Sequence, residues 1–122
     1  MGKSILAVDD SATMLMTISL SLEKEGYTVK TVSRGAEALK LLNSSQRFHV
    51  ILLDVHMPEM DGITLASEIR KLPNYKFTPI IMVTTESRLQ NKVKGRKAGA
   101  TGWIVKPFKP DQLVSAIRKV CP

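Results

Sequence analysis

Residues 50–53 read Val-Ile-Leu-Leu, so a strand built from them has no polar face to turn toward water. Such a strand has to be covered on both sides, which is the condition of a parallel sheet sandwiched by helices. Ser-Ile-Leu-Ala-Val at 4–8 and Pro-Ile-Ile-Met-Val-Thr at 79–84 are runs of the same kind. Tyr-Thr-Val-Lys-Thr-Val at 27–32 alternates and is rich in β-branched residues, and Thr-Gly-Trp-Ile-Val at 101–105 completes a set of five strands. The segments between them change period. Met14, Leu15, Ile18 and Leu22 recur at helical spacing within 11–25, where Gly26 ends the pattern. Residues 35–43 predict a short helix with Ala36, Leu39 and Leu42 inward. Asp61 predicts a cap for a helix through Leu72 with Ile63, Ala66 and Ile69 inward, stopped by Pro73 and Asn74. Residues 87–98 predict a weaker helix with Gly95 inside it, and Pro110 opens a last one through Val120. Strand and helix alternate five times with short connections. That order predicts an α/β fold, a doubly wound five-stranded parallel sheet with five helices, occupying 1–122 as one domain with no separate output domain.

Charge enters because it is unevenly placed. The 122 residues carry a net +7, yet residues 1–87 hold nine basic and ten acidic side chains. Residues 88–122 hold nine basic ones (Arg88, Lys92, Lys94, Arg96, Lys97, Lys106, Lys109, Arg118, Lys119) against Asp111 alone. Only the last third therefore needs a special account. No apolar run approaches the roughly 18 residues of a membrane span, and the early acids argue against a signal peptide. The one cysteine, Cys121, has no partner for a bridge and no ligand spacing for a metal, which suits a reducing, cytoplasmic setting.

In a sheet of this kind, ligands bind at the carboxyl ends of the strands. The first strand releases Asp9-Asp10, the third Asp54, the fourth Thr84-Thr85, and the fifth Lys106-Pro107. Three carboxylates brought together repel one another and raise each other's pKa, a cost that a divalent cation relieves. All-oxygen ligation with room for water and a phosphate oxygen suits Mg²⁺. A carboxylate oxygen can then attack an in-line phosphoryl group, whose charge the metal, Lys106 and the Thr84 hydroxyl would balance.

Ala-Val-Asp-Asp-Ser (7–11), Leu-Leu-Asp-Val-His-Met-Pro-Glu-Met-Asp-Gly (52–62), Ile-Ile-Met-Val-Thr-Thr-Glu (80–86) and Gly-Ala-Thr-Gly-Trp-Ile-Val-Lys-Pro-Phe (99–108) resemble the receiver domain of bacterial two-component response regulators. The likeness covers essentially the whole chain and is greatest to stand-alone chemotaxis regulators of the CheY type. It implies a flavodoxin-like sheet of order 2-1-3-4-5. It implies Asp54 as phosphoacceptor from a histidine kinase. Asp10 would bind Mg²⁺ directly, Asp9 chiefly through water, and the His56 backbone carbonyl would be a further ligand. Lys106 and Thr84 would stabilise the phosphoryl group, Pro107 would follow a cis bond, and Thr84 and Trp103 would form the switch. The output face would be the fourth helix, fifth strand and fifth helix, with Arg88, Lys92, Arg96, Trp103, Lys109 and Arg118 on it. Its partner would have an acidic surface, such as a flagellar motor switch protein. A phosphatase is a further partner, and the chain would be a monomer that assists only its own phosphotransfer and dephosphorylation.

Other readings stand beside these. Asp9, Asp10 or Ser11 could simply cap the first helix, Trp103 could be core, and His56 a solvated loop residue. His56 and Glu86 could instead tune the access of water to a phosphorylated Asp54. The basic third could be a solvated face. Nucleic acid is disfavoured there, because aromatic interleaving and a helix-turn-helix pattern are missing. As an alternative function, a Mg²⁺-dependent phosphatase of the haloacid-dehalogenase type shares the sheet and the aspartyl chemistry. Its nucleophile follows the first strand with a second Asp two residues on, whereas Asp9 and Asp10 are adjacent. A flavin or nucleotide site would need a Gly-rich loop where Asp-Asp-Ser-Ala-Thr-Met stands.

Overall fold

The architecture was obtained as a computed structural model, which describes residues 2–122. Its elements run β1 (Ser4–Val8), α1 (Ala12–Glu23), β2 (Thr28–Val32), α2 (Gly35–Leu42), β3 (Val50–Leu53), α3 (Gly62–Arg70), a 3₁₀ turn (Pro73–Tyr75), β4 (Ile80–Thr84), α4 (Leu89–Ala98), β5 (Gly102–Val105) and α5 (Pro110–Val120). The strands lie β2-β1-β3-β4-β5, every neighbouring pair parallel.

The aliphatic run of β3 shows why both faces must be covered. Successive side chains of a strand point to opposite faces. Ile51 and Leu53 join Leu6, Val8, Ile80 and Met82 in one cluster, closed by Ala38 and Leu42 of α2 and Leu65, Ala66 and Ile69 of α3. Val50 and Leu52 join Ile5, Ala7, Ile81 and Val83 in the other, closed by Ile18 and Leu22 of α1 and Leu113, Val114 and Ile117 of α5.

The expected inward sets need two adjustments. In α2 the buried alanine is Ala38, while Ala36 is exposed. The short helix turns Gly35, Ala38 and Leu42 to the core at i, i+3 and i+7, whereas the successive three-residue steps from Ala36 through Leu39 drift off that face. In α3 Leu65 is fully buried and Ile63 only half so. The caps follow the sequence more closely. Ser11 accepts from the Met14 N–H at 3.2 Å, and Asp61 accepts from the Thr64 N–H at 2.8 Å. Lys109 has no side-chain acceptor to offer at the start of α5. Gln112 compensates from inside the helix, its Oε1 accepting from the Lys109 N–H at 2.8 Å. No helix of the described residues is long and apolar enough to cross a membrane.

Candidate functional site

Strand register builds the site. Val8 of β1 lies opposite Leu53 of β3, and the Asp54 N–H continues the ladder to the Val8 carbonyl at 3.0 Å. The residues just past these partners, Asp9 and Asp54, are therefore neighbours at the sheet edge. Asp9, Asp10 and Asp54 each present a carboxylate oxygen, and the three lie within 4.8 Å of one another. Asp9 and Asp54 are buried and Asp10 is exposed, so the trio has one open side. Backbone N–H groups hold two of them: Ser11 donates to Asp9 Oδ1 at 2.9 Å and His56 to Asp54 Oδ1 at 3.3 Å.

Lys106 leaves the end of β5 and reaches over β4 to this cluster. Its Nζ donates to Asp9 Oδ2 at 2.7 Å and to Asp54 Oδ2 at 3.4 Å. The ammonium is thus shared, with Asp9 the closer partner. Burial pushes the Asp9 carboxyl above its usual range. The bonds from Lys106 and the Ser11 N–H and the lysine's charge oppose that rise, while the charge of Asp54 adds to it. The bond from Lys106 to Pro107 is cis.

Thr84 is fully buried, and its hydroxyl accepts from the Glu86 N–H at 3.2 Å. Its proton is left free to donate, but it makes no bond to the carboxylates. Glu86 is the second polar centre. Its buried carboxylate takes a paired bond from the Arg88 guanidinium at 3.0 Å on each oxygen, and accepts from the Arg88 N–H at 2.9 Å. The imidazole of His56 meets Glu86 Oε1 at 3.1 Å. These Arg88 bonds hold the Glu86 carboxyl well below the usual carboxylate range, and the carboxylate in turn raises Arg88. One side chain therefore ties the loop after β3 to the start of α4. The backbone of Glu86 makes a third tie, its carbonyl accepting from Trp103 Nε1 at 2.8 Å.

Trp103 is half-buried on β5 and packs against the α2–α3 side of the core. Room for the indole comes from Gly95, where an added Cβ would stand 2.7 Å from Trp103 Cζ3. Lys92 and Arg96 flank the same indole across a small cleft. Two members of the expected basic face are paired with acids. Arg88 is engaged by Glu86. Arg118 donates to Glu25, just past the end of α1, at 3.0 Å. Lys109 is exposed at the head of α5.

Two glycines make close contacts that local sequence pattern does not show. A Cβ on Gly62 would sit 1.9 Å from the Asp54 carbonyl oxygen, so α3 starts against the backbone of the acid itself. The Gly62 N–H also donates to the Val55 carbonyl at 2.9 Å. Asp61-Gly62 reads as a turn, which hides this contact. Gly95 reads as a weak point in a helix, which hides its partner 8 residues on at Trp103.

The fit to Mg²⁺ rests on the donor set: hard oxygen ligands from three carboxylates, one side open, and a lysine already drawn in as counter-charge. Comparison with known proteins agrees in kind. The response regulator receiver domain matches residues 5–118. The transcriptional regulatory protein SrrA of Staphylococcus aureus is 38% identical over 118 residues, 97% of this chain and 47% of that protein, so the chain spans about half the length of the curated relatives it matches. The chemotaxis protein CheY4 of Vibrio cholerae superposes with a TM-score of 0.94 at 42% identity, covering 98% of this chain and 99% of that one. The receiver domain of the sensor histidine kinase PA1611 of Pseudomonas aeruginosa, a structure with magnesium coordinated in its active-site cleft, superposes at 0.89 with 30% identity, covering 98% and 97%. With its 2-1-3-4-5 sheet and its edge of three aspartates, a threonine and a lysine, the chain belongs to the response regulator receiver domain family.

Proposed function

We propose that Asp54 accepts a phosphoryl group from a histidine kinase and that the α4–β5–α5 face answers to it, in a chemotaxis or motility pathway of the cytoplasm. The observation that carries this is the Lys106 ammonium poised between Asp9 and Asp54 at 2.7 and 3.4 Å. Asp9, Asp10, Asp54 and the His56 carbonyl would hold Mg²⁺, which supplies positive charge against the phosphoryl oxygens. An Asp54 carboxylate oxygen forms the new P–O bond, the P–N bond to the donor imidazole breaks, and the electron pair stays on that nitrogen. Lys106 shifts its weight from Asp9 toward the new dianion, and the Thr84 hydroxyl turns from Glu86 to donate to it. That turn loosens the segment on which the Glu86 carbonyl holds Trp103, so the charge at the edge reaches the face as a population shift. The chemotaxis assignment draws support from the likeness to the chemotaxis protein CheY4, and a motor switch protein is the partner proposed with it.

The chain acts on itself and does not turn over phosphate esters in this reading. Acetyl phosphate with Mg²⁺ should add one phosphoryl group by mass and change the fluorescence of Trp103, the only tryptophan. Asp54→Asn should lose both and keep its circular dichroism. Acid-stable phosphate on Asp54→Asn, or steady turnover of p-nitrophenyl phosphate, would refute the assignment. His56 and Glu86 stand together at the mouth of the site, so His56→Asn and Glu86→Ala should alter the dephosphorylation rate. Unchanged rates would remove these two from the mechanism.

A further inference from the structure

Glu86 is held by four groups from four parts of the molecule. Its N–H donates to the Thr84 hydroxyl at the end of β4, at 3.2 Å. Its carbonyl accepts from Trp103 Nε1 of β5 at 2.8 Å. One carboxylate oxygen meets the His56 imidazole, in the loop after β3, at 3.1 Å. Arg88, just before α4, binds both carboxylate oxygens through its guanidinium at 3.0 Å and one of them through its N–H at 2.9 Å. Among the described residues the guanidinium bonds to Glu86 alone. Its own side chain is 66% exposed, whereas that of Glu86 is 3% exposed.

That contrast assigns the roles. A carboxylate so deeply placed stays charged and inside only while it is paired. The imidazole offers it one bond, and the guanidinium offers a full charge and a planar fork. Without Arg88 the carboxylate gains by turning out to water. The same residue supplies the N–H to Thr84 and the carbonyl to Trp103, so both bonds leave with it. We propose that Arg88 is a positioning residue, a latch that keeps Glu86 inside and so holds Thr84 and Trp103 in the arrangement seen here. The segment after β4 then has a latched and a released state. In the released state the Thr84 hydroxyl is free of Glu86 and can reach a phosphoryl group. A group that favours one state binds in proportion to the fraction already in it, so the latch slows entry of the phosphoryl group. The effect on Asp54 rests on the phosphoacceptor reading above; the effect on Trp103 does not.

Trp103 is the only tryptophan, so it gives one indole N–H signal in a proton–nitrogen NMR spectrum. Arg88→Gln should shift that signal and speed its exchange with water, with no phosphate or metal present. With acetyl phosphate and Mg²⁺, Arg88→Gln should label Asp54 about threefold faster than wild type, the scale of an ion pair with one exposed partner. Arg88→Lys should fall between the two, because an ammonium keeps the charge and loses the fork. In a Glu86→Gln background Arg88→Gln should add nothing, since both act through one contact. Lys97→Gln removes the same charge from the last turn of α4, away from Glu86, and should match wild type. Each variant is first shown to be folded by circular dichroism. An unmoved indole signal in Arg88→Gln overturns the proposal. So does a full-sized Arg88→Gln effect in the Glu86→Gln background, or the same effect from Lys97→Gln. A shifted indole with a wild-type labelling rate overturns it too, because the latch would not then reach Thr84. A wild type that never labels removes the phosphoacceptor reading, and the indole signal alone then decides the latch.

Discussion

Single residues at the edge of the sheet bear most of the constraint. Gly62 is the sharpest, because a methyl there meets a carbonyl oxygen of the backbone and no side chain can swing aside. Gly62→Ala should cost about 2–3 kcal/mol, in the range of overpacked sites. It should also slow labelling of Asp54, since the strand end has to shift; urea unfolding and acetyl phosphate kinetics check the two. Glu86 sets a pH dependence. Its carboxyl lies below the ordinary 4.5 because Arg88 favours the charged form. A depressed folded value adds stability above the unfolded pKa, lost as the pH falls through the folded one. Glu86→Gln should therefore melt below the wild type at neutral pH, and the difference should shrink as the pH drops below about 4.5. A difference that grows in acid would contradict the Arg88 pairing.

Among the elements, α4 is the least secured. It starts without a side-chain cap at Arg88, buries one glycine, and ends on Gly99 at φ 115°. Helical stability in proteins comes chiefly from a packed face, and this helix has little of one. Its amides should exchange with deuterium before those of α1, α3 and α5, as hydrogen-exchange mass spectrometry would show. A loosely held helix suits the response to phosphorylation proposed for the α4–β5–α5 face. Gly95→Ala separates propensity from packing. Alanine favours the helix by roughly 1 kcal/mol, but its Cβ would press on the indole at 2.7 Å. Trp103 should be pushed toward water and its emission should move to longer wavelength. An unchanged spectrum would mean that the helix, and not the indole, gives way.

The whole molecule is a stable scaffold with a costly edge. Two aliphatic clusters flank the sheet, and the expense is concentrated where buried Asp9 and Asp54 share one lysine. A cation bound there only in the folded state raises stability by mass action, by about 2.7 kcal/mol at a hundredfold excess over Kd. Mg²⁺ should therefore raise the Tm, and chelation should reverse it. Asp10→Ala should blunt the effect, because Asp10 is the open member of the trio.

Periodicity and strand-end chemistry are local properties, and the sequence carries them directly. Alternation of aliphatic runs with helical spacing determined the elements nearly to their ends, and Asp9, Asp10, Asp54, Thr84 and Lys106 follow because a parallel sheet aligns its strand ends. Side-chain direction and close approach depend on neighbours far along the chain. Only the folded structure could place Lys106 nearer to Asp9 than to Asp54, draw Arg118 away to Glu25, tie His56 and Arg88 through Glu86, and set Gly62 and Gly95 against Asp54 and Trp103. Each is a distance between residues that no pattern within one element encodes, since packing across elements decides it.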